Sequence, residues 1–136
     1  MKKQMFVLIG LALMLSSALV HAQTIAMKAN VPFNFIVSGK ALPAGEYTVQ
    51  TLYGGEVLLI QGGGNTVSVV SSHRCESASA SDTSKLIFRR AQGTYFLTQV
   101  WSMGSTAGRE LPKSHPQRER ELAKNDPAQQ VVVLAE

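Results

Sequence analysis

The sequence predicts an all-β domain, a single-domain β-sandwich or small barrel of about eight strands with one short C-terminal surface helix. Three observations carry that expectation. Apolar residues recur with period two along most of the chain, the alternation that turns one face of each strand toward a core. Turns such as Leu42-Pro43-Ala44-Gly45, Gly54-Gly55 and Gly62-Gly63-Gly64-Asn65 interrupt the alternation at short spacing. Helix signals gather in one place only, around Ser114. Alternation does not say which strands pair, so sandwich and barrel both stay open.

Residues 1–22 are read as a signal peptide and set apart from the fold. Lys2 and Lys3 form a basic start, residues 5–15 an apolar run, and Val20-His21-Ala22 offers small or modest side chains before cleavage after Ala22. The alternative, an uncleaved anchor, has only the 16 residues 5–20 to work with, against about 20 for a spanning helix. No Cys follows the run, so a lipoprotein anchor is not expected. Of 136 residues, 114 then remain as one domain over 23–136. Lys2 and Lys3 leave with the signal, so 11 basic residues face nine acidic ones and the net charge falls from +4 to +2. That is too little for a nucleic-acid partner, which needs a concentrated basic face. No later stretch reads as a membrane-spanning helix, and the expected location is the periplasm or the medium. With one cysteine there is no internal disulfide, but a chain of this size buries roughly 60–70% of its unfolded surface and can rely on packing.

The elements follow in order. Residues 31–37 read as a strand with Val31, Phe33, Phe35 and Val37 on one face, preceded by a short strand carrying Ile25, Met27 and Ala29. Pro32 cannot donate to a ladder and belongs near a strand start or edge. Residues 46–53 put Tyr47, Val49, Thr51 and Tyr53 on one side, and Gly54-Gly55 is a tight link. Residues 57–60 are apolar on both faces and read as central, and residues 66–72 complete a meander. Residues 71–84, small and polar, read largely as an exposed loop. Residues 85–90 and 94–102 form a second hairpin around Ala91-Gln92-Gly93, with Leu86, Phe88, Tyr95, Leu97 and Trp101 at alternating positions. Ser114, Pro116 and Gln117 resemble a capping-box start to a helix over about 114–124, stopped by Asn125-Asp126-Pro127. Residues 129–135 read as a closing strand that pairs back into the sheet, since an open edge of that composition invites aggregation.

The run Val31-Pro32-Phe33-Asn34-Phe35-Ile36-Val37-Ser38-Gly39, followed by Leu42-Pro43-Ala44-Gly45-Glu46-Tyr47-Thr48-Val49, resembles the opener of an uncharacterised family of small secreted bacterial all-β proteins. Tyr95-Phe96-Leu97 with Trp101, and Gly108-Arg109-Glu110-Leu111-Pro112 before an Arg/Glu-rich helix, extend the resemblance over nearly all of the chain after residue 22. These are strand and turn signatures. The resemblance implies a fold and carries no catalytic residue.

Candidate chemistry is sparse. His73 and Cys75, two apart in an extended segment, share a face, but a structural zinc site takes four ligands and only His115 remains beside them. No metal and no cofactor are expected. Cys75 reads instead as a free thiol or as the link of a disulfide homodimer. No Gly-x-Ser-x-Gly elbow occurs, and Glu46, Glu56, Glu76, Asp82 and Glu110 are scattered near turns, so the chain is read as not an enzyme. The glycines at 62–64 lack the Lys-Ser/Thr of a phosphate loop. Arg118, Glu119, Arg120, Glu121 and Lys124 read as a solvated helix surface. Arg89, Arg90, Tyr95 and Trp101 form the candidate ligand or interaction patch, with cation–π character. The expected function is an exported, non-enzymatic interaction or structural module whose partner is a protein or envelope component. The alternative is a carrier of a small apolar, lipid-like ligand in a cavity lined by Phe33, Phe35, Tyr47, Phe88, Tyr95 and Trp101. A hydrolase comes third.

Overall fold

In the computed structural model, residues 26–63, 66–113, 117–118 and 129–136 are described. The expected signal segment 1–22 lies outside them. So does most of the expected helix over 114–124, of which only Gln117, a buried residue, and Arg118 are described.

The described residues form eleven strands: β1 (Ala26–Val31), β2 (Phe35–Val37), β3 (Lys40–Leu42), β4 (Gly45–Leu52), β5 (Val57–Gly62), β6 (Val67–Ser71), β7 (His73–Glu76), β8 (Ser84–Ala91), β9 (Thr94–Trp101), β10 (Ala107–Glu110) and β11 (Gln129–Ala135). They make one sheet, ordered β3-β2-β9-β8-β11-β1-β4-β5-β6, that curls into a nearly closed barrel. The closing piece is β10, antiparallel to β9 on one side and to β7 on the other. Ser72 alone separates β7 from β6, so pairing through β10 leads the sheet back to its own far edge. Further along the same seam β2 runs parallel to β9 and β3 lies outside it; there Lys40 Nζ donates to the Val67 carbonyl of β6 at 2.8 Å. One half of the seam is therefore a main-chain ladder and the other rests on a side chain.

Several strands are shorter than the alternation suggests, which is why eleven stand where about eight were expected. The run 31–37 is two strands. Val31 ends β1, which pairs with β4, while Phe35 begins β2, which pairs with β3 and β9. The break at Pro32 takes the chain across the barrel, yet Val31, Phe35 and Val37 are all buried and Phe33 packs against them. The segment 71–84 is also more ordered than its composition suggests. It holds the whole of β7, and Ser77 N and Ser81 N donate to the carbonyls of Thr106 and Ser105 at 2.8 and 3.1 Å, while Gly104 N donates to Ser81 O at 2.8 Å. Small polar residues suit a segment that clips main chain to main chain.

In the second hairpin a bulge changes which residues face inward. Phe88 pairs with Leu97 but Ile87 pairs with Gln99, so Thr98 is the extra residue. Its hydroxyl donates to the Ile87 carbonyl at 2.9 Å, and its own carbonyl accepts Leu111 N–H at 2.8 Å. Leu86, Phe88, Leu97 and Val100 consequently belong to the inner core, while Trp101, counted with them by simple alternation, turns to the outer face.

The interior is packed most closely at one end. The Phe33 ring stacks on Tyr95 with centroids 3.9 Å apart and meets Phe88 edge-on at 5.0 Å. Phe35 meets Tyr47 and Phe88 edge-on at 5.1 and 5.3 Å. Two clasps hold this end together. The Tyr47 hydroxyl donates to the Pro43 carbonyl at 2.6 Å, and the Asn34 side-chain Oδ1 accepts Ala44 N–H at 3.0 Å. The motifs at 31–39 and 42–49, separate in sequence, are thus one structural unit.

Candidate functional site

At the other end the inner side chains are smaller and the barrel opens into a cavity of about 340 Å³. Its floor is Met27 of β1, Val49 of β4 and Val100 of β9, all buried. Alternation explains the floor, because each is the last or next-to-last inward residue of its strand at that end. One wall is the turn Tyr53–Gly55, and the rim carries Arg74 and Arg109. A barrel mouth with an apolar base and a few polar groups is where small molecules bind in folds of this kind.

The turn is a strained piece of backbone. Tyr53, Gly54 and Gly55 have φ of +51°, +68° and +95° in succession. Gly54 and Gly55 adopt such values freely, but Tyr53 has a Cβ that disfavours them. The left-handed turn also ends the face-sharing expected of residues 46–53: Tyr53 leaves the line of Tyr47 and Val49 and is 80% exposed at the rim.

Arg109 is held from below. Its Nε donates to Ser72 Oγ at 2.9 Å and its Nη2 donates to the Ser72 carbonyl at 2.8 Å. Ser72 Oγ in turn donates to the Gly55 carbonyl at 2.6 Å, and Ser72 N donates to Glu56 O at 2.8 Å. Ser72, the buried pivot between β6 and β7, thereby ties the guanidinium to the strained turn. A side chain at Gly55 would meet Arg109 Cδ and Nε at 3.4 Å, so the guanidinium lies directly under the turn. Arg74 is the ladder partner of Arg109 across β7 and β10, and both line the cavity. Its Nε pairs with Glu76 Oε1 at 3.1 Å, with both side chains mostly exposed. No ion pair forms on Arg109 among the described residues. Two like charges directly opposite each other on a ladder oppose folding, by roughly 0.2–1 kcal/mol.

The residues singled out from the sequence are dispersed. Arg90 sits over the Tyr95 ring with its guanidinium carbon 5.8 Å from the centroid, at the aromatic end. Arg89 pairs with Phe96 on the opposite face, bordering Leu111 and Lys113. Trp101 lies six residues beyond Tyr95, about 20 Å along the strand, on the outer face with its Nε1 donating to Gln99 Oε1 at 2.9 Å. Arg90 and Tyr95 meet; Arg89 and Trp101 do not join them. Phe33, Phe35, Tyr47, Phe88 and Tyr95 pack on one another and leave the lining of the open cavity to other residues. Cys75 is a free thiol, half-buried on β7 opposite Gly108. A Cβ at Gly108 would come within 2.6 Å of the Trp101 ring, so only glycine lets the indole lie flat on β10. Burial, and to a smaller degree the Glu110 carboxylate, push the Cys75 thiol above its ordinary range. Among the described residues no three His, Cys, Asp or Glu side chains converge as a metal site would require. Nor is any helix among them long and apolar enough to cross a membrane.

Arg74, Arg109, Ser72 and Tyr53 were not marked by the sequence. The available signal was the alternation His73-Arg74-Cys75-Glu76, which as a strand turns Arg74 away from the His73 and Cys75 face. No protein-family model, no curated protein and no solved structure matches the chain.

Proposed function

We propose that this chain is an exported, non-enzymatic β-barrel binding module whose working surface is the open end of the barrel. One observation carries the reading: a cavity of about 340 Å³ with an apolar floor opens at the end where two arginines sit. The basic and apolar pattern of residues 1–22 supports export, and Ser114, Pro116 and Gln117 support a short surface helix over about 114–124. Among the described residues no nucleophile with an adjacent base lines the cavity; the polar side chains there are Arg74, Arg109, Thr51, Tyr53, Ser102 and Ser105, which suit binding better than proton transfer.

A second reading places a protein or envelope partner on the outer wall. It is favoured by Val67 and Val69 of β6, 42% and 65% exposed, with Leu59 of β5 the ladder partner of Val69.

Native mass spectrometry of the chain produced in an exporting bacterial host, after cell fractionation, tests the proposal. The expected species lacks residues 1–22, is found outside the cytoplasm and retains a bound molecule. Cytoplasmic retention of the uncut chain overturns the export part. Hydrolytic turnover that disappears on replacing a single serine or carboxylate overturns the non-enzymatic part.

A further inference from the structure

We infer that the barrel mouth binds a small amphiphile with one oxyanion head, the head seated between Arg74 and Arg109 and the apolar body on Met27, Val49 and Val100. The inference rests on the binding-module reading and adds the chemical class of the ligand.

The argument begins with donor counting. An arginine guanidinium has five N–H donors in a planar fork. In Arg109, two are engaged, one from Nε and one from Nη2, and both acceptors belong to Ser72. Three donors remain on a side chain that lines the cavity and has no ion pair among the described residues. Because Ser72 fixes the Nε edge, the guanidinium is oriented before any ligand arrives, which lowers the entropy lost on binding. Arg74, directly across the ladder, adds a second positive charge on the same face. Its exposed pairing with Glu76 is the kind that contributes little and exchanges readily. The adjacent cations repel one another, and an oxyanion between them relieves that repulsion.

The floor excludes a purely polar anion as the best occupant. Met27, Val49 and Val100 offer no hydrogen bonds from their side chains, and an inorganic ion would leave them wet. The size sets the rest. A cavity of about 340 Å³ holds the equivalent of about eleven waters at roughly 30 Å³ each, so the ligand has on the order of ten non-hydrogen atoms. An eight-carbon acid or phosphate monoester fits that description. Tyr53, exposed at the rim, is placed to cover it.

The test titrates the full chain with sodium octanoate, octyl phosphate and 1-octanol, followed by calorimetry and by amide NMR shifts. Octanoate or octyl phosphate is expected to bind once per chain and to shift Gly54, Gly55 and Gly108. 1-Octanol, with the same apolar body and no charge, should bind at least about tenfold more weakly, as loss of a charge-assisted hydrogen bond predicts. Tighter binding of octyl phosphate than octanoate assigns a phosphate head, and the reverse a carboxylate. Arg74→Gln is expected to weaken both anions about threefold or more. Arg109→Lys keeps the charge but loses the fork, and should weaken them about tenfold. Ala107→Phe fills the mouth without touching either charge and should abolish binding; an unchanged melting temperature shows that the barrel is intact. Equal binding of octanol and octanoate, unaltered affinity in Arg74→Gln and Ala107→Phe, or shifts confined to Val67 and Val69 would each overturn the inference. Failure here alongside a retained ligand in native mass spectrometry removes the ligand class and leaves the binding-module reading in place.

Discussion

At one end of the barrel Phe33, Phe35, Tyr47, Phe88 and Tyr95 interlock at centroid distances of 3.9 to 5.3 Å, and the loop that covers them is clasped by Tyr47 and Asn34. At the other end the inward residues shrink to Met27, Val49 and Val100, and the space they leave is bordered by two arginines and a left-handed turn. β1, β4 and β9 run through both ends, but β2 and β3 flank the aromatic one and β7 and β10 the mouth. Side-chain volume and strand pairing both change along the barrel. The aromatic end supplies burial without polar cost, and the mouth carries repelling charges that oppose folding; a left-handed non-glycine residue occurs at both, Tyr53 at the mouth and Gln92 in the turn beside Tyr95. A barrel that keeps such charges at one end needs the other to supply the stability. The asymmetry is therefore what separates scaffold from site in this molecule.

The largest expected effect comes from cutting into the scaffold. Phe88 is fully buried between Phe33 and Phe35, and Phe88→Ala removes a ring that its neighbours cannot replace. It should cost about 3–5 kcal/mol in urea unfolding, transfer and cavity contributions together. Val49→Ala, at the floor of the mouth, borders space that is already open. Its expected cost is about 1.5 kcal/mol, close to two methyl-sized groups of transfer free energy with little added for a new void. Equal losses in the two variants would mean that the cavity closes in solution, and the comparison would break.

A smaller effect isolates the clasp. The Tyr47 hydroxyl is held above its ordinary pKa by burial, so the fold favours its neutral form. The contribution is present in full below the unfolded value near 10. Above it the unfolded chain releases its proton first, and stability falls as pH rises toward the folded pKa. Tyr47→Phe removes the donor to the Pro43 carbonyl and should cost about 1 kcal/mol at neutral pH. It should also flatten the alkaline decline, seen as urea midpoints at pH 7 and about 10.5 that differ less than in the parent chain. An undiminished decline would move the alkaline sensitivity away from the aromatic end.

How much of this was legible follows from what each feature depends on. Period-two alternation marks inward residues locally, so Met27, Ala29, Tyr47, Val49, Leu86 and Phe88 were readable without knowing any partner. The barrel was not, because closure depends on β10, a near neighbour of β9 in sequence, also pairing with β7, whose residues lie some 35 positions away. Trp101 was misplaced by one residue of bulge: Thr98 shifts every later side chain of β9 to the other face. Pro32 was marked as a strand start or edge, but residues 31–37 were read as one strand, so the break there and the passage of the chain from β1 to β2 on different neighbours were not legible. The mouth was the least legible part. Arg109 and Arg74 become a pair only through the β7–β10 register, and β7 was hidden in a segment whose serines suggested a loop.

The smallest effect probes whether the two ends also differ in how they open. Cys75 lies in the four-residue β7, which the mouth depends on for Arg74. Burial first and Glu110 second raise its pKa, so thiolate is scarce at neutral pH and alkylation should be slow, accelerating as pH rises through 9. Glu110→Gln removes the second cause and should speed alkylation at pH 8 about two- to fivefold, the range of a partly screened charge interaction. Tyr47→Phe supplies the contrast, because it weakens the aromatic end without touching β7. If the mouth opens on its own, by local separation of β7 from β10, alkylation in Tyr47→Phe proceeds at the parent rate although global stability has fallen. If the rate instead rises in proportion to the lost stability, the thiol is reached only through global unfolding, and the barrel behaves as one unit despite its unequal ends. The pH dependence separates chemistry from access, since thiolate formation changes with pH in every variant while opening free energy need not.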